Sequence, residues 1–279
     1  MQKRPESKMF VEGRYRKLSR DLPQTVFFCP ECKGHPRRRQ GCEKCEGFGK
    51  LSRDSVQELV SWVLGKAAGT RKHKFHGAGR EDVDVRMLGR GRPFIVELIA
   101  PKEHQIDLAE IERTINDRNA GRLEVEGLHW SEKERVRVLK ETPGAKAYRA
   151  GVSVQGDFDL EAVQPRLGER LHLAQQTPER VAHRRADKTR ERWVELRSVA
   201  PDPERPGAFI VDLVTQHGTY VKEFISGEEG KTEPSLGEWL GGVQCRCDWL
   251  DVLEILGEDG EDLPAPRKRT PPPVFGQGL

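Results

Sequence analysis

Two stretches of the chain carry residue types at spacings that can do chemistry. The first is "CPECKGHPRRRQGCEKCEGFGK", in which Cys29-x2-Cys32 and Cys42-x2-Cys45 stand nine residues apart. Two thiolates at that spacing grip one metal ion from a tight turn, and two such turns complete a tetrahedral shell of four sulfurs. Zinc is the ion that shell suits, and a closed shell leaves no position for substrate, so the expected role is structural. Between the pairs lies Pro36-Arg37-Arg38-Arg39, read either as a solvated loop or as a phosphate contact at the knuckle's tip. The second stretch, "AGREDVDVRMLGRGRPFIVEL" (residues 78–98), alternates. In an extended strand Val83, Val85 and Met87 would face one side, and Asp82, Asp84 and Arg86 the other. Such a face can line a polar cleft, although the same alternation is routine on the exposed side of an antiparallel sheet. Arg90-Gly91-Arg92-Pro93 is also the core of an AT-hook, a flexible minor-groove arm. It runs directly into "FIVELIA", a strong strand, where a flexible arm does not belong.

Elements must position these residues. The chain has 279 residues, 33% charged and 6% aromatic, with a net charge of +3. That length buries a substantial core. The cations are clustered, which matters more for a polyanionic partner than the small total. No apolar run approaches the roughly 20 residues of a membrane span, and the N-terminus has no apolar signal core. The expectation is a soluble, cytoplasmic protein with no membrane partner. Residues 1–26 read as a basic arm, 27–50 as the knuckle, 51–257 as the main domain, and 258–279, rich in Pro, Gly and charge, as a loose tail. "DSVQELVSWVLGKAAG" and "DLAEIERTINDRNAG" have helical periodicity, the first with Val56, Leu59, Val60 and Val63 on one face, the second with Leu108, Ile111 and Ile115. "RLEVEGLHWS", "AYRAGVSVQG", "RWVELRSVA", "GAFIVDLVTQ" and "WLDVLEILG" are strand candidates. Strands outnumber helices without regular interleaving, which favours an α+β fold. Cys245 and Cys247 read as ordinary buried or half-buried thiols. A dense basic run, Arg180, His183, Arg184 and Arg185 with Lys188, Arg190 and Arg192, is a solvated helix face or a phosphate-tracking surface.

"GREDVDVRMLGRGRPFIVEL" resembles the catalytic motif of the tRNA pseudouridine synthase Pus10 family. Four other segments resemble motifs of that family in the same order: "VEGRYRKLSRDLPQT", "KAYRAGV", "QQTPERVAHRRADKTRERWV" and "HGTYVKEFISGEEGKTEPSLGEWLG". Together they span about residues 11–250. The resemblance implies a pseudouridine-synthase fold, a mixed but mostly antiparallel central sheet with flanking helices, beside the zinc knuckle. It implies a tRNA substrate, modified at uridines 54 and/or 55 of the T-arm loop, and no organic cofactor. An aspartate would attack the uridine at uracil C6 or ribose C1′. A free carboxylate, ionised above about pH 3.9, needs no base to activate it. Arg80-Glu81-Asp82 fits the Arg-x-Asp pattern of pseudouridine synthases, so Asp82 rather than Asp84 is the expected nucleophile, with Asp84 ordering the loop or pairing with Arg86. Tyr148 falls at the family's active-site tyrosine, placed to stack on the flipped uracil. Tyr220 and Lys222 come from "GTYVK", where a basic residue would hold the aspartate oriented. Arg37, Arg38, Arg39, Arg180, His183, Arg184 and Arg185 would contact the RNA backbone. Only about ten residues precede the first motif, so the family's usual THUMP-type RNA-binding domain is expected to be absent. The rival reading is a non-catalytic zinc-containing RNA- or DNA-binding module.

Overall fold

The structure is a computed structural model and describes residues 7–182 and 185–257. The expected tail, and His183 and Arg184 of the basic run, lie outside them. The chain divides into two compact units, the first running to Thr142 and the second starting at Pro143. The elements are mixed α and β, and every strand pairing described below is antiparallel, in line with the α+β expectation.

The first unit opens on β1 (Lys8–Lys17), then α1 (Pro36–Arg39), α2 (Val56–Ala67), β2 (Lys72–Gly77), β3 (Arg86–Ile99), α3 (Leu108–Arg118), β4 (Leu123–Ser131) and α4 (Lys133–Glu141). β1 lies between β4 and β3, and β2 pairs with the far side of β3. Residues 94–99 of β3 therefore have a strand on each side. Phe94, Ile95, Val96 and Leu98 are wholly buried there, which is why the run "FIVELI" scarcely alternates.

β1 corrects the basic-arm reading. Seven of its ten residues are buried, Glu12 and Lys17 among them. Its charges are matched rather than solvated: Glu12 takes a two-pronged bond from Arg135, at 2.7 and 3.2 Å, and one from Ser131 at 2.8 Å. Burial alone would raise the Glu12 pKa, but Arg135 and Ser131 outweigh it and hold the carboxyl below its ordinary range.

α2 begins at Ser55, whose hydroxyl accepts from the Glu58 N–H, and buries Val56, Val60 and Leu64, leaving Leu59 and Val63 half-buried. α3 begins at Asp107, which caps Ala109 and Glu110, and buries Ile111 and Ile115. α4 has no counterpart among the helices expected from sequence. It buries only Leu139, so its polar sequence carries almost no apolar stripe.

The second unit holds β5 (Lys146–Gln155), β6 (Arg170–Gln175), α5 (Glu179–Ala182), β7 (Arg190–Pro201), β8 (Ala208–Thr215), α6 (Val221–Ser226), β9 (Thr232–Glu233), α7 (Leu236–Trp239) and β10 (Gln244–Ile255). Its strands run in the order β10-β5-β8-β7-β6-β9. α6 and α7 meet through Phe224 and Trp239, ring centroids 5.2 Å apart and edge to face. No helix of the described residues is long and apolar enough to cross a membrane.

Candidate functional site

Residues 82–85 do not extend a strand. β3 starts at Arg86, and Val83 and Asp84 form a turn closed by a 3.2 Å bond from the Val85 N–H to the Asp82 carbonyl. The alternating Asp-Asp-Arg face is thus replaced by a loop in which Asp82 is half-buried, Asp84 exposed and Val85 buried. Arg80 is exposed just before the loop and Arg86 half-buried just after it.

The loop is held by a buried polar scaffold that the sequence reading missed. Lys17 Nζ, with no exposed surface, donates to the carbonyls of Leu22, Asp82 and Val83 at 2.9, 2.9 and 3.0 Å. One ammonium therefore fixes two successive carbonyls of the loop, that of Asp82 and the next. Glu81, next to Asp82, points inward. Its carboxylate takes Arg92 Nε at 2.7 Å and the Tyr15 hydroxyl at 2.8 Å, and the Glu81 and Arg92 side chains are each 1% exposed. Gln24 donates to Tyr15 Oη and to the Gly79 carbonyl, both at 2.9 Å, and Arg92 Nη1 donates to the Ala78 carbonyl at 2.6 Å. Burial, reinforced by Glu81, raises the Tyr15 pKa well above the ordinary phenol value, so Tyr15 stays a donor. Burial pulls Lys17 down to about 8, with Glu81 working the other way. The only trace of this scaffold in the sequence is a lysine and an arginine falling where the strand pattern calls for apolar residues.

An irregularity in β3 makes the scaffold possible. Tyr15 pairs with Arg92 and Lys17 with Met87, so Leu88–Gly91 stand opposite the single residue Arg16. Gly91 has φ +75°, and a Cβ there would lie 2.6 Å from the Tyr15 carbonyl oxygen. Only glycine permits that approach. Arg14 clamps the bulge from Nε to the Arg90 carbonyl at 2.6 Å and from Nη2 to the Gly91 carbonyl at 2.7 Å. The Arg-Gly-Arg-Pro tetrapeptide is therefore part of β3, with Arg92 fully buried, and not an AT-hook arm.

The other expected substrate residues belong to the second unit. Tyr148 is half-buried on β5, paired in register with Leu213 and Val252. Tyr220 is the residue before α6, and Lys222 is half-buried in its first turn. Buried Gln175 fixes Tyr220 as a neighbouring strand would: its amide donates to the Tyr220 carbonyl at 2.9 Å, and its oxygen accepts the Tyr220 N–H at 2.7 Å. Arg180 forms a two-pronged ion pair with buried Glu223 of α6, and its guanidinium lies 5.9 Å from the centre of the Tyr220 ring. Arg180 thus braces α6. Arg185 is exposed. Cys245 is buried, which pushes its thiol up to about 11.

The four knuckle sulfurs lie within 4.8 Å of one another, with Cys29–Cys42 and Cys32–Cys45 at 3.7 and 3.6 Å. A tetrahedral ion with metal–sulfur bonds of about 2.3 Å would set its sulfurs about 3.8 Å apart, so the cluster fits a metal ion. Backbone N–H groups of Cys32 and Glu31 hold the Cys29 thiol down at about 7, and the Gly49 N–H donates to Cys45 Sγ at 3.1 Å. Arg37, Arg38 and Arg39 are all exposed on the single turn of α1 between the two pairs.

The family model described as "Pus10, C-terminal" matches residues 10–256. The chain belongs to the Pus10 family. A tRNA pseudouridine synthase Pus10 from Methanopyrus kandleri is 43% identical over 258 residues, covering 91% of this chain and 57% of that protein. One from Halorubrum lacusprofundi is 44% identical over 253 residues, covering 90% and 58%. The chain thus spans under two thirds of the length of these curated relatives. Among solved structures, a crystal structure of a Cbf5–Nop10–Gar1 complex contains a chain 18% identical to this one, with a TM-score of 0.40, covering 72% of this chain and 45% of that one.

Proposed function

We propose that this chain is a tRNA pseudouridine synthase of the cytoplasm and that Asp82 is its nucleophile. The observation that carries the reading is the Asp82 loop: within the segment matched to the family, a half-buried carboxylate sits on backbone fixed by Lys17 and by the buried Glu81–Arg92–Tyr15 scaffold. A binding module has no need to fix one carboxylate so firmly, whereas a nucleophile gains from geometry set before substrate arrives.

The reaction is an isomerisation. The bond from N1 to C1′ breaks, the uracil turns, C5 bonds to C1′, the C5 proton leaves and N1 gains one. Nothing is oxidised or reduced, so no organic cofactor is required. Asp82 attacks uracil C6 or ribose C1′ and is released when the new bond has formed. The target uridine leaves its stack, which costs a few kcal/mol. From the resemblance to the family, Tyr148 would stack on the extruded base, and Tyr220 and Lys222 would bind substrate. Arg80 and Arg86 bind substrate on either side of the loop. Phosphate contacts from Arg37, Arg38, Arg39, Arg180, His183, Arg184 and Arg185 offset the cost of extrusion. Zinc fills the Cys29, Cys32, Cys42 and Cys45 shell and supports the knuckle without entering the chemistry.

The test is incubation with an unmodified tRNA transcript followed by mapping of pseudouridine. Product at position 54, 55 or both of the T-arm loop is expected. A transcript that is bound but carries no pseudouridine would instead support the non-catalytic binding module.

A further inference from the structure

Among the described residues, six large hydrophobic side chains are exposed: Phe27, Phe28, Phe48, Leu51, Trp62 and Val138. Four of the six fall on the knuckle and on α2, and Leu51 lies between the two. Soluble domains seldom concentrate bare rings in one place without a use for them. A four-cysteine metal shell needs no apolar core, so knuckle stability does not account for them.

The rings are arranged about one lysine. Phe28 and Lys50 form an antiparallel bridge, which puts their side chains on the same face. Lys50 Nζ lies 5.3 Å from the centre of the Phe48 ring and 5.9 Å from that of Trp62. The lysine is itself held in place, by Glu58 at 2.7 Å and the Arg53 carbonyl at 2.9 Å. It acts as a fixed spacer between rings that are each more than half exposed: Phe28 54%, Phe48 51% and Trp62 54%.

Cations flank this row at both ends. On one side the aliphatic stem of Arg39 lies against Gly49, beside Phe48. On the other, Trp62 shares with Lys66, Arg71 and His73 the lining of a cavity of about 470 Å³. Arg37, Arg38, Arg39, Lys66 and Arg71 are absent from the ion pairs of the described residues. These cations are therefore open to a ligand, although two exposed knuckle carboxylates, Glu43 and Glu46, are likewise outside those ion pairs.

We propose that the knuckle and the adjoining face of α2 form a stacking platform for an unpaired stretch of RNA. Rings of this kind accept the flat faces of bases in any sequence, and flanking cations follow the phosphates. A duplex hides its base faces and cannot use the rings. An acidic protein surface would satisfy the cations but leave the rings bare. The platform is independent of Asp82 and of the isomerisation.

The test uses the full chain and a dye-labelled ten-nucleotide oligoadenylate, which contains no uridine and so bypasses the reaction. Binding is read by fluorescence anisotropy over a range of salt. Phe28→Ala, Phe48→Ala and Trp62→Ala should each weaken binding about five-fold or more, with the salt slope unchanged, because stacking releases no counterions. Trp62→Phe should retain most of the affinity, which separates loss of a ring from loss of fold. Duplex RNA of the same length should bind more weakly and be indifferent to the ring substitutions. Unchanged oligoadenylate binding in all three alanine variants would overturn the proposal. So would a chain dimer in sedimentation that Phe48→Ala dissolves while oligoadenylate binding stays intact, since the face would then be a protein interface.

Discussion

Asp82 and Asp84 are two residues apart, yet only Asp82 has its carbonyl held by a buried cation. The Lys17 ammonium holds the Asp82 carbonyl, while Asp84 is exposed in the turn, its carbonyl meeting Arg20 at 3.0 Å. Asp82→Asn should abolish turnover and leave tRNA affinity within a few-fold, because only the proposed nucleophile is lost. Asp84→Asn should keep most of its activity. Single-turnover assays with parallel binding measurements check both, and an active Asp82→Asn beside a dead Asp84→Asn would move the nucleophile by two residues. Lys17 gives a pH dependence. Its pKa falls from 10.5 to about 8 on folding, chiefly through burial, while Glu81, Asp84 and Asp82 raise it and Arg92 lowers it. Between those values the unfolded chain binds more protons, so this group makes stability rise with pH. A neutral amine, however, has two donors for three carbonyls. The single-turnover rate should therefore fall above about pH 8 while the Lys17 contribution to the melting temperature does not. A rate that stays flat to pH 10 would show that the third bond is dispensable.

At the scale of elements, legibility followed the physics of burial. α2 and α3 announce themselves through caps and apolar periodicity, and β5, β7, β8 and β10 through alternation. β1 was hidden because Glu12 and Lys17 are buried charges whose partners, Arg135 and the Asp82 loop, lie far along the chain. α4 was hidden because it buries one side chain. The Asp82 motif could be located from the sequence, but not its shape: a turn and an alternating strand share the pattern "DVDV", and only the Lys17 contacts separate them. The knuckle is the opposite case, since four cysteines at that spacing nearly specify their own geometry. Metal analysis of freshly purified protein should find one zinc per chain. Chelation should expose residues 27–50 to hydrogen exchange while the strands of both units keep their protection. Loss of protection in β1 and β3 on chelation would instead make the knuckle part of the sheet's stability.

For the whole molecule, a net charge of +3 understates its affinity for a polyanion, because the cations are local. Binding to tRNA should weaken steeply with salt. Replacing Arg37, Arg38 and Arg39 together with Ala should lower affinity and flatten the logarithmic salt slope by roughly one unit per lost contact. Chemistry at saturating RNA should change little. An unaltered slope would assign RNA recognition to other surfaces.

The anchors of the Asp82 loop also limit how this motif can be moved between proteins. Tyr15, Lys17 and Gln24 reach Glu81, Asp82 and Gly79 across 66, 65 and 55 residues of sequence. A peptide spanning residues 78–98 would contain every motif residue and the Glu81–Arg92 pair, but none of the contacts from Tyr15, Lys17 and Gln24. Transplanting the motif into another scaffold would require β1 and the Leu88–Gly91 bulge to travel with it. Removing the first seventeen residues would leave the Asp82 carboxylate in place chemically while stripping the ammonium and the phenol that hold its loop.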